Sequence, residues 1–224
     1  SALRDQRDQH VRELAELVPV DVLDGPDGTV TVLLRGSLAL VHAEGGTGQL
    51  SAAVSASDGR MHVFRVSAGR AEDVTTQLTA GRLGGHLIAR DGEIADAVAS
   101  LDALAFDVVT AMNAAHQAGY GLDGLTGRSL FAPPAGVTDA ARLLSVDPAV
   151  VGAPDAIGAA LDPALLPGDN RNALALVTTL GLPIAAGGTR TARAALSEII
   201  GTAGTAVRDA QADVDEWTAH RSQI

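Results

Sequence analysis

The sequence predicts an α+β protein in which long, antiparallel, heptad-patterned helices form a stalk, with an inserted antiparallel β region and irregular loops. Two segments, residues 94–115 and 196–217, carry apolar residues in alternating steps of four and three. At 3.6 residues per turn such residues form one narrow apolar seam on a helix, and long seams need a helical partner. A change to period two within residues 20–80 predicts the β region.

The two seams are defined by their residues. The first seam is Ile94, Val98, Leu101, Ala105, Val108, Met112 and Ala115, and the second seam is Leu196, Ile200, Ala203, Val207, Ala210, Val214 and Trp217. This coiled-coil rhythm predicts that both are buried, against each other or against residues 11–18. A Leu101→Asp change would then bury an unpaired carboxylate, at a cost of several kcal/mol.

The N-terminal part begins with a predicted helix and continues as strands. Residues 2–18 place three apolar side chains on one face, and Pro19 ends the helix because the residue before a proline disfavours helical dihedrals. An alternating strand follows, and the Gly-Pro-Asp-Gly sequence at 25–28 predicts a turn into a returning strand at 29–34. Two further short strands are predicted at 38–41 and 61–66.

The rest of the chain alternates between helices and loops. Glycines at 81–85 mark a return to a helix of about 86–118, which Gly119 is expected to end as a left-handed cap. Residues 119–188 are rich in glycine and proline and predict loops with one short helix, capped by Asp169 or Asn170.

The last helix follows a glycine pair and is expected to be capped by Thr189 or Thr191. These elements predict two domains. Residues 1–18 with 189–224 are expected to form the helical stalk domain, and residues 19–188 an inserted outer domain.

Composition excludes several classes of protein. The 16 basic and 27 acidic residues give a net charge of −11, which argues against binding to nucleic acid or to anionic membranes. No apolar run approaches the roughly 18 residues of a membrane span, and no signal peptide is visible. The absence of cysteine excludes disulfides and cysteine-based sites.

A search for chemistry yields no catalytic, cofactor-binding or metal-binding residues. The six histidines are His10, His42, His62, His86, His116 and His220. None has the HxxxH or HxH spacing of metal ligands, so each is interpreted as a structural or surface residue. Asp102 and Asp107 are five residues apart and cannot face each other on a helix, which excludes a local carboxylate pair. We therefore expect no enzymatic activity and no cofactor.

Two glycine-containing segments were weighed as ligand sites. Gly81, Gly84 and Gly85 lack the GxGxxG spacing and predict a hinge or bulge rather than a phosphate cradle. Gly168-Asp169-Asn170 resembles part of a calcium loop, but the ligand-rich repeat is missing, and helix capping is the better interpretation.

Four segments occur in the order of the motifs of one known family. They are Asp5-Gln6-Arg7-Asp8 leading to the hairpin Asp27-Gly28-Thr29-Val30-Thr31-Val32; Asn113-Ala-Ala-His116-Gln-Ala-Gly119-Tyr120-Gly121-Leu122-Asp123-Gly124 followed by Phe131; Gly168-Asp169-Asn170-Arg171-Asn172-Ala173-Leu174-Ala175-Leu176; and His220-Arg221-Ser222-Gln223-Ile224. Together they resemble the flagellar hook-associated protein 1 family. Gly121 stands where that family usually has Asp, and His220 where it has Gln.

The resemblance implies a structural, non-enzymatic role as an axial component of the bacterial flagellum, at the junction of hook and filament. Such a protein is exported unfolded and assembles outside the cell with copies of itself, the hook protein and the next junction protein. The resemblance further implies a surface-side fragment without the terminal domains. Such a fragment is expected to be monomeric at micromolar concentration.

Two other classes remain open at this point. An extracellular adhesion or ligand-binding module would need an exposed apolar or aromatic patch, and only 2% of the residues are aromatic. A hydrolase whose His and Asp residues meet only in three dimensions would need a cleft with perturbed titrating groups.

Overall fold

The computed structural model describes residues 2–25, 28–43 and 45–221, and describes side chains as far as Asp215. Within this part the protein has five α-helices and two small antiparallel sheets, which confirms the α+β class. The chain divides into two compact units, residues 1–92 and 93–224. This division differs from the expected grouping of residues 1–18 with 189–224.

The first unit contains the β region between two helices. Its elements are α1 (Ala2–Leu17), β1 (Val20–Asp24), β2 (Val30–Leu34), β3 (Leu38–Val41), β4 (Gln49–Val54), β5 (Met61–Ser67), β6 (Arg70–Asp73) and α2 (Gly81–Asp91). Strands β1–β2–β3 form one sheet and β4–β5–β6 the other, with each neighbouring pair antiparallel. The predicted hairpin is confirmed by the register Val22 opposite Val32. Part of its turn lies outside the described residues.

One apolar cluster holds this unit together. It consists of Val18, Leu34, Leu40, Val63, Val74, Leu78 and Leu87, which come from both sheets, the loop before α2, α2 itself and the end of α1. The helix α1 has no buried residue of its own and ends at Leu17, before Pro19, as predicted. The end of the first helix therefore meets the core, with Leu14 partly buried against the cluster and Val18 within it.

Two strands, β4 and β6, were not predicted. The β4 sequence Gln-Leu-Ser-Ala-Ala-Val has few β-branched residues, and its side chains are largely exposed. It forms a strand because β5, which has the stronger alternation, pairs with it over six residues from Gln49 to Val54. Tertiary pairing here outweighs weak local propensity.

The predicted glycine boundary at 81–85 is itself helical, as the first turns of α2. A Cβ on Gly81 would collide with the Leu17 carbonyl oxygen, and one on Gly84 with the Leu78 carbonyl oxygen. These two glycines allow α2 to lie against the backbone at the end of α1 and in the loop before α2. They are close-packing glycines rather than a hinge.

The second unit contains three helices and a long irregular segment. The helices are α3 (Glu93–Gln117), α4 (Arg171–Thr179) and α5 (Ala192–Arg221), and two single 3-10 turns lie at Pro154–Ala156 and Pro163–Leu165. The single helix expected over 86–118 is therefore wrong, because the α-helix is interrupted at Gly92 with φ −102° and ψ −100°. The expected cap of the last helix is confirmed at Thr191, whose hydroxyl accepts from the Ala194 N–H at 3.2 Å.

The seams are only partly buried in this chain. In the first seam Met112 is 8% exposed, whereas Leu101 is 39% exposed and Ile94 and Val98 are more open still. In the second seam the large apolar residues are exposed, and the side chain of Trp217 lies outside the described residues. The half-buried residues of α5 include Ala195, Ile199 and Ala206. Each of these three lies one residue before a position of the predicted second seam. The predicted burial of both seams, against each other or against residues 11–18, is therefore wrong for most of their large residues in this chain.

Candidate functional site

The irregular segment of the second unit is tied to α3 by buried polar side chains. Asn113 makes three hydrogen bonds at 2.9 Å: its Oδ1 accepts from the N–H groups of Leu130 and Phe131, and its Nδ2 donates to the Phe131 carbonyl. One amide side chain thus satisfies three backbone groups that have no strand or helix partner. The loop after α3 is fixed at this point.

His116 makes a second attachment one turn further along α3. Its ring is 1% exposed. Nδ1 lies 2.8 Å from the Arg128 carbonyl oxygen, and Nε2 lies 2.9 Å from the Gly158 N–H. Because a carbonyl only accepts and an N–H only donates, the ring is neutral and carries its hydrogen on Nδ1. His116 therefore joins two loop segments, which agrees with its interpretation as a structural residue.

Asn172, on α4, completes the same cluster from the other side. Its Nδ2 donates to the Gly158 carbonyl at 2.6 Å and to the Ala115 carbonyl at 3.1 Å. Gly119 fits beneath it, since a Cβ there would collide with the Asn172 amide and the Gly158 carbonyl. Gly119 does not have positive φ, so the predicted left-handed cap is wrong. The position requires glycine for space.

Two carboxylates of α3 hold other parts of the segment. Asp102 is buried and accepts from the N–H groups of Asp139 at 2.8 Å and Ala141 at 2.9 Å. Asp107 accepts from the Ala186 N–H at 3.1 Å. The two aspartates thus bind separate loops and do not form a carboxylate pair.

Asp169 caps the short helix from inside the cluster. Its carboxylate accepts from the N–H groups of Leu161, Asp162 and Arg171 at 2.9–3.0 Å and pairs with the Arg171 guanidinium at 2.9 Å. The guanidinium first, and then these backbone bonds, hold the Asp169 pKa well below its ordinary value. Asn170 is the N-cap residue but makes no side-chain cap bond. The predicted cap therefore comes from Asp169, whose oxygens accept from backbone N–H groups and from the Arg171 guanidinium.

These six side chains form what we term the anchoring network. Its members are Asp102, Asp107, Asn113, His116, Asp169 and Asn172. In the described part of the chain, no buried side-chain nitrogen or oxygen lacks a hydrogen-bond partner. Apart from the cap at Asp169, the sequence did not predict these roles, although polar residues inside the otherwise apolar α3, such as Asp102 and Asn113, are a usable signal for them.

Gly121 departs from the family motif, and its surroundings explain the difference. A Cβ there would collide with the Asp155 carbonyl and approach the Asp123 carboxylate. Asp123 forms an ion pair with Arg128, which also lowers the Asp123 pKa. The Arg128 guanidinium further donates to the Ala156 carbonyl at 3.2 Å. In this chain the space for a side chain at position 121 is occupied by the loop.

The first unit brings a histidine and two aspartates together, which the sequence did not predict. His62 Nδ1 lies 2.5 Å from an Asp73 oxygen, and Nε2 lies 3.1 Å from an Asp58 oxygen. These bonds raise the His62 pKa, and the same contact with His62 lowers the Asp73 pKa to about 2. Because both ring nitrogens face carboxylates, neither is available to activate a nucleophile. The hydrolase alternative finds no support here.

Helices α3 and α5 enclose a groove of about 430 Å³. Its lining includes small side chains such as Ala97, Ala195 and Ala206 and acidic residues such as Glu93 and Asp96. No histidine lines it. Such a groove is typical of helices whose alanines leave room along their length, not of a catalytic cleft.

The described residues contain no group of three or more His, Cys, Asp or Glu side chains arranged to hold a metal ion. Among the described helices, none has the length and hydropathy needed to span a membrane. The expectation that the protein uses no cofactor stays a prediction.

The chain is similar to known flagellar proteins. The model of the flagellar hook-associated protein FlgK helical domain matches residues 1–131. Flagellar hook-associated protein 1 of Escherichia coli K12 is 36% identical over 134 residues, which are 58% of this chain and 24% of the relative. That of Salmonella typhimurium LT2 is 37% identical over 133 residues, with the same coverage.

A solved structure gives the same result. The flagellar hook junction protein FlgK from Burkholderia pseudomallei superposes with a TM-score of 0.53 at 32% identity, covering 57% of this chain and 24% of that one. The chain thus spans about a quarter of the length of the relatives it matches. The family match includes α1, both sheets, α2 and α3 with Asn113, His116 and Gly119. It covers more than half of the sequence, and the chain belongs to the flagellar hook-associated protein FlgK family.

Proposed function

We propose that the chain is part of a structural, non-enzymatic component of the bacterial flagellum that forms the junction between hook and filament. The observation that carries this proposal is the family match over residues 1–131, together with 36% identity to a flagellar hook-associated protein 1. The absence of a free catalytic nitrogen at His62 is consistent with a non-enzymatic role.

The proposed partners are copies of the same protein, the hook protein and the next junction protein. The proposed location is outside the cell, after export through the flagellar secretion channel. A net charge of −11 fits a protein that binds neither nucleic acid nor anionic membranes.

The exposed half of the first seam supports an assembling role. Ile94, Val98 and Leu101 lie on one face of α3 and are exposed in the chain by itself. Exposed apolar residues in a row mark an interaction surface. We propose that this face packs against other helices of the assembled axis, where the heptad-patterned stalk forms. The grouping of residues 1–18 with 189–224 in that stalk stays a prediction.

The anchoring network has a supporting part in this proposal. It fixes the irregular segment on α3 through fully hydrogen-bonded polar groups, so the loops have a defined surface. A subunit that repeats around an axis needs such a reproducible surface, because every copy must present the same contacts.

The isolated chain is proposed to be a monomer at micromolar concentration. The net charge of −11 makes copies repel one another, and we propose that the exposed apolar side chains of α3 and α5 bury less than the roughly 1,000 Å² of a stable interface. Light scattering coupled to size-exclusion chromatography tests this. A stable oligomer whose mass does not change with concentration would contradict it.

A chimera tests the proposed function. In the Escherichia coli relative, the 134 matched residues are exchanged for those of this chain, and the chimera is expressed in a strain without its own copy. We expect filaments attached to hooks and restored swimming. A chimera that is exported and stable but leaves hooks bare would count against the proposal, provided that the unmodified relative restores filaments in the same strain.

A further inference from the structure

His62 connects two segments of the first unit that belong to different secondary-structure elements. Asp58 belongs to the 55–60 turn between β4 and β5, and Asp73 ends β6. The His62 ring lies between their carboxylates, at 3.1 Å from Asp58 and 2.5 Å from Asp73, and its side chain is 17% exposed. Because ionised carboxylates only accept, both bonds require a hydrogen on each ring nitrogen. The ring is therefore an imidazolium in this arrangement.

Besides its bond to His62, each of the two carboxylates accepts hydrogen bonds from another part of the chain. The Asp58 Oδ1 accepts from the Arg60 N–H at 3.0 Å, within the turn. The Asp73 Oδ1 accepts from the Thr75 N–H at 3.0 Å and from its hydroxyl at 2.7 Å, and that hydroxyl in turn accepts from the Val63 N–H at 2.9 Å. Asp73 is thus fixed to the core-facing part of the sheet, whereas Asp58 is fixed only to the turn.

Other charges lie near the turn. Arg60 reaches Asp91 at 3.2 Å, and Arg90 pairs with Asp91 and donates to the Met61 carbonyl at 2.6 Å. Their charges are engaged with one another at the end of α2. Phe64 stacks beside the His62 ring at a centroid distance of 6.4 Å and adds no charge. Asp58 and Asp73 are the carboxylates bonded to the ring itself.

We propose that His62 is a pH-operated latch: protonated, it ties the 55–60 turn to β6, and on losing a proton it keeps Asp73 and releases Asp58. A neutral imidazole has one N–H, so one of the two bonds must be lost. The shorter bond to the better-fixed Asp73 persists. The Nε2 lone pair then faces the Asp58 carboxylate, which is repulsive.

The direction of the pH effect follows from the partners. Hydrogen bonds with Asp73 first and Asp58 second raise the His62 pKa above its ordinary value. The contact is therefore complete below the pKa of a free histidine and is lost as pH rises through the higher pKa of the folded protein. The 55–60 turn therefore separates from β6 at pH values above the His62 pKa of the folded protein.

Two measurements on the full chain test the latch. Nitrogen-15 NMR of the imidazole reports protonation and tautomer of His62, and amide hydrogen exchange reports protection of the Arg60 N–H. Asp58→Asn removes the released partner, and Asp24→Asn is the control, because it removes an equal charge from an exposed strand position of the same unit.

We expect the protection factor of the Arg60 amide to fall about two- to fivefold as His62 loses its proton, the size typical of an exposed charged pair. Neutral His62 carries its hydrogen on Nδ1. In Asp58→Asn the step in protection disappears, and in Asp24→Asn it persists. Protection that stays constant through the His62 titration would overturn the proposal, as would a neutral ring with its hydrogen on Nε2.

Discussion

The two units of this chain are stabilised by different chemistry. In the first unit seven apolar side chains from sheets, helices and loops form one cluster, with Leu34 fully buried. In the second unit, six polar side chains of the anchoring network hold more than fifty irregular residues to α3 and α4. An apolar core tolerates any side chain of suitable shape, whereas a polar network requires particular donors and acceptors.

This difference explains what the motif residues of the second unit do. Asn113, His116, Gly119, Asp169 and Asn172 all belong to motif segments and all meet in the second unit. Each is irreplaceable by a residue of similar hydropathy, because its role is a hydrogen bond of fixed geometry or the absence of a side chain. The first unit carries a different motif, the Asp5-Gln6-Arg7-Asp8 segment with the 27–32 segment, together with an alternation of apolar residues.

The largest expected effect is in the apolar core. Leu34→Ala should lower the free energy of unfolding by about 2–5 kcal/mol, because it leaves a cavity at a fully buried position. Chemical denaturation followed by circular dichroism measures this. Leu23→Ala, at a 55% exposed position on the neighbouring strand, is the matched control and should change stability by less than about 0.5 kcal/mol. Equal losses in both variants would mean that this cluster is not the core.

The next effect tests the anchoring network. Asn113→Ala should cost about 2–4 kcal/mol, because three hydrogen bonds are lost and the N–H groups of Leu130 and Phe131 are left buried without a partner. Hydrogen exchange should become faster at these two amides first. Asn170→Ala is the control, since the Asn170 side chain is exposed and makes no cap bond. Unchanged exchange at Leu130 and Phe131 in the Asn113 variant would argue against the network.

A smaller effect distinguishes the two residues predicted to cap α5. Thr191→Ala removes the hydroxyl that accepts from the Ala194 N–H and should cost about 1 kcal/mol. Thr189→Ala removes only a hydroxyl that donates to the Ala186 carbonyl, and its effect should be smaller. Thermal unfolding of both variants gives the comparison, and the reverse ranking would place the cap at Thr189.

The smallest expected signal is a difference in pH dependence. The Asp169 pKa is lowered, so its contribution to stability is complete above the ordinary pKa of 3.8 and is lost as pH falls below that value. Asp169→Asn should therefore flatten the loss of stability between about pH 4 and pH 2. Leu34→Ala should keep the acid dependence of the unmodified chain. Parallel acid curves for Asp169→Asn and the unmodified chain would contradict this assignment.

The sequence predicted those elements that depend on neighbouring residues and missed those that depend on distant segments. The end of α1 at Pro19, the hairpin of β1 and β2 and the cap at Thr191 depend on neighbouring residues, and all three are confirmed. The strand β4 and the space-limited Gly119 depend on segments distant in sequence, so local patterns predicted the wrong structure for Gly119 and missed the strand. The break between α2 and α3 follows the Asp91-Gly92 dipeptide, a local turn signal that the prediction of one helix over 86–118 passed over.

The functional residues follow the same rule. No spacing in the sequence brings His62 to Asp58 and Asp73 or Asn113 to Phe131, because these contacts join different elements. For the seams the error is the opposite one, because the sequence predicted contacts that the chain does not make. Their period was identified from sequence, but period alone does not say whether the partner of a face is within the chain, and Leu101 remains 39% exposed.

The central claim is that the exposed part of the first seam is a contact surface of the assembled axis. Leu101→Asp tests it most directly in the chimera with the Escherichia coli relative, with filament attachment counted by electron microscopy. Thr110→Asp is the control, because Thr110 is also exposed on α3 and lies half a turn around the helix from Leu101. In the isolated chain Leu101→Asp should change stability little. The account predicts bare hooks with Leu101→Asp and normal filaments with Thr110→Asp, whereas normal filaments with both would contradict it.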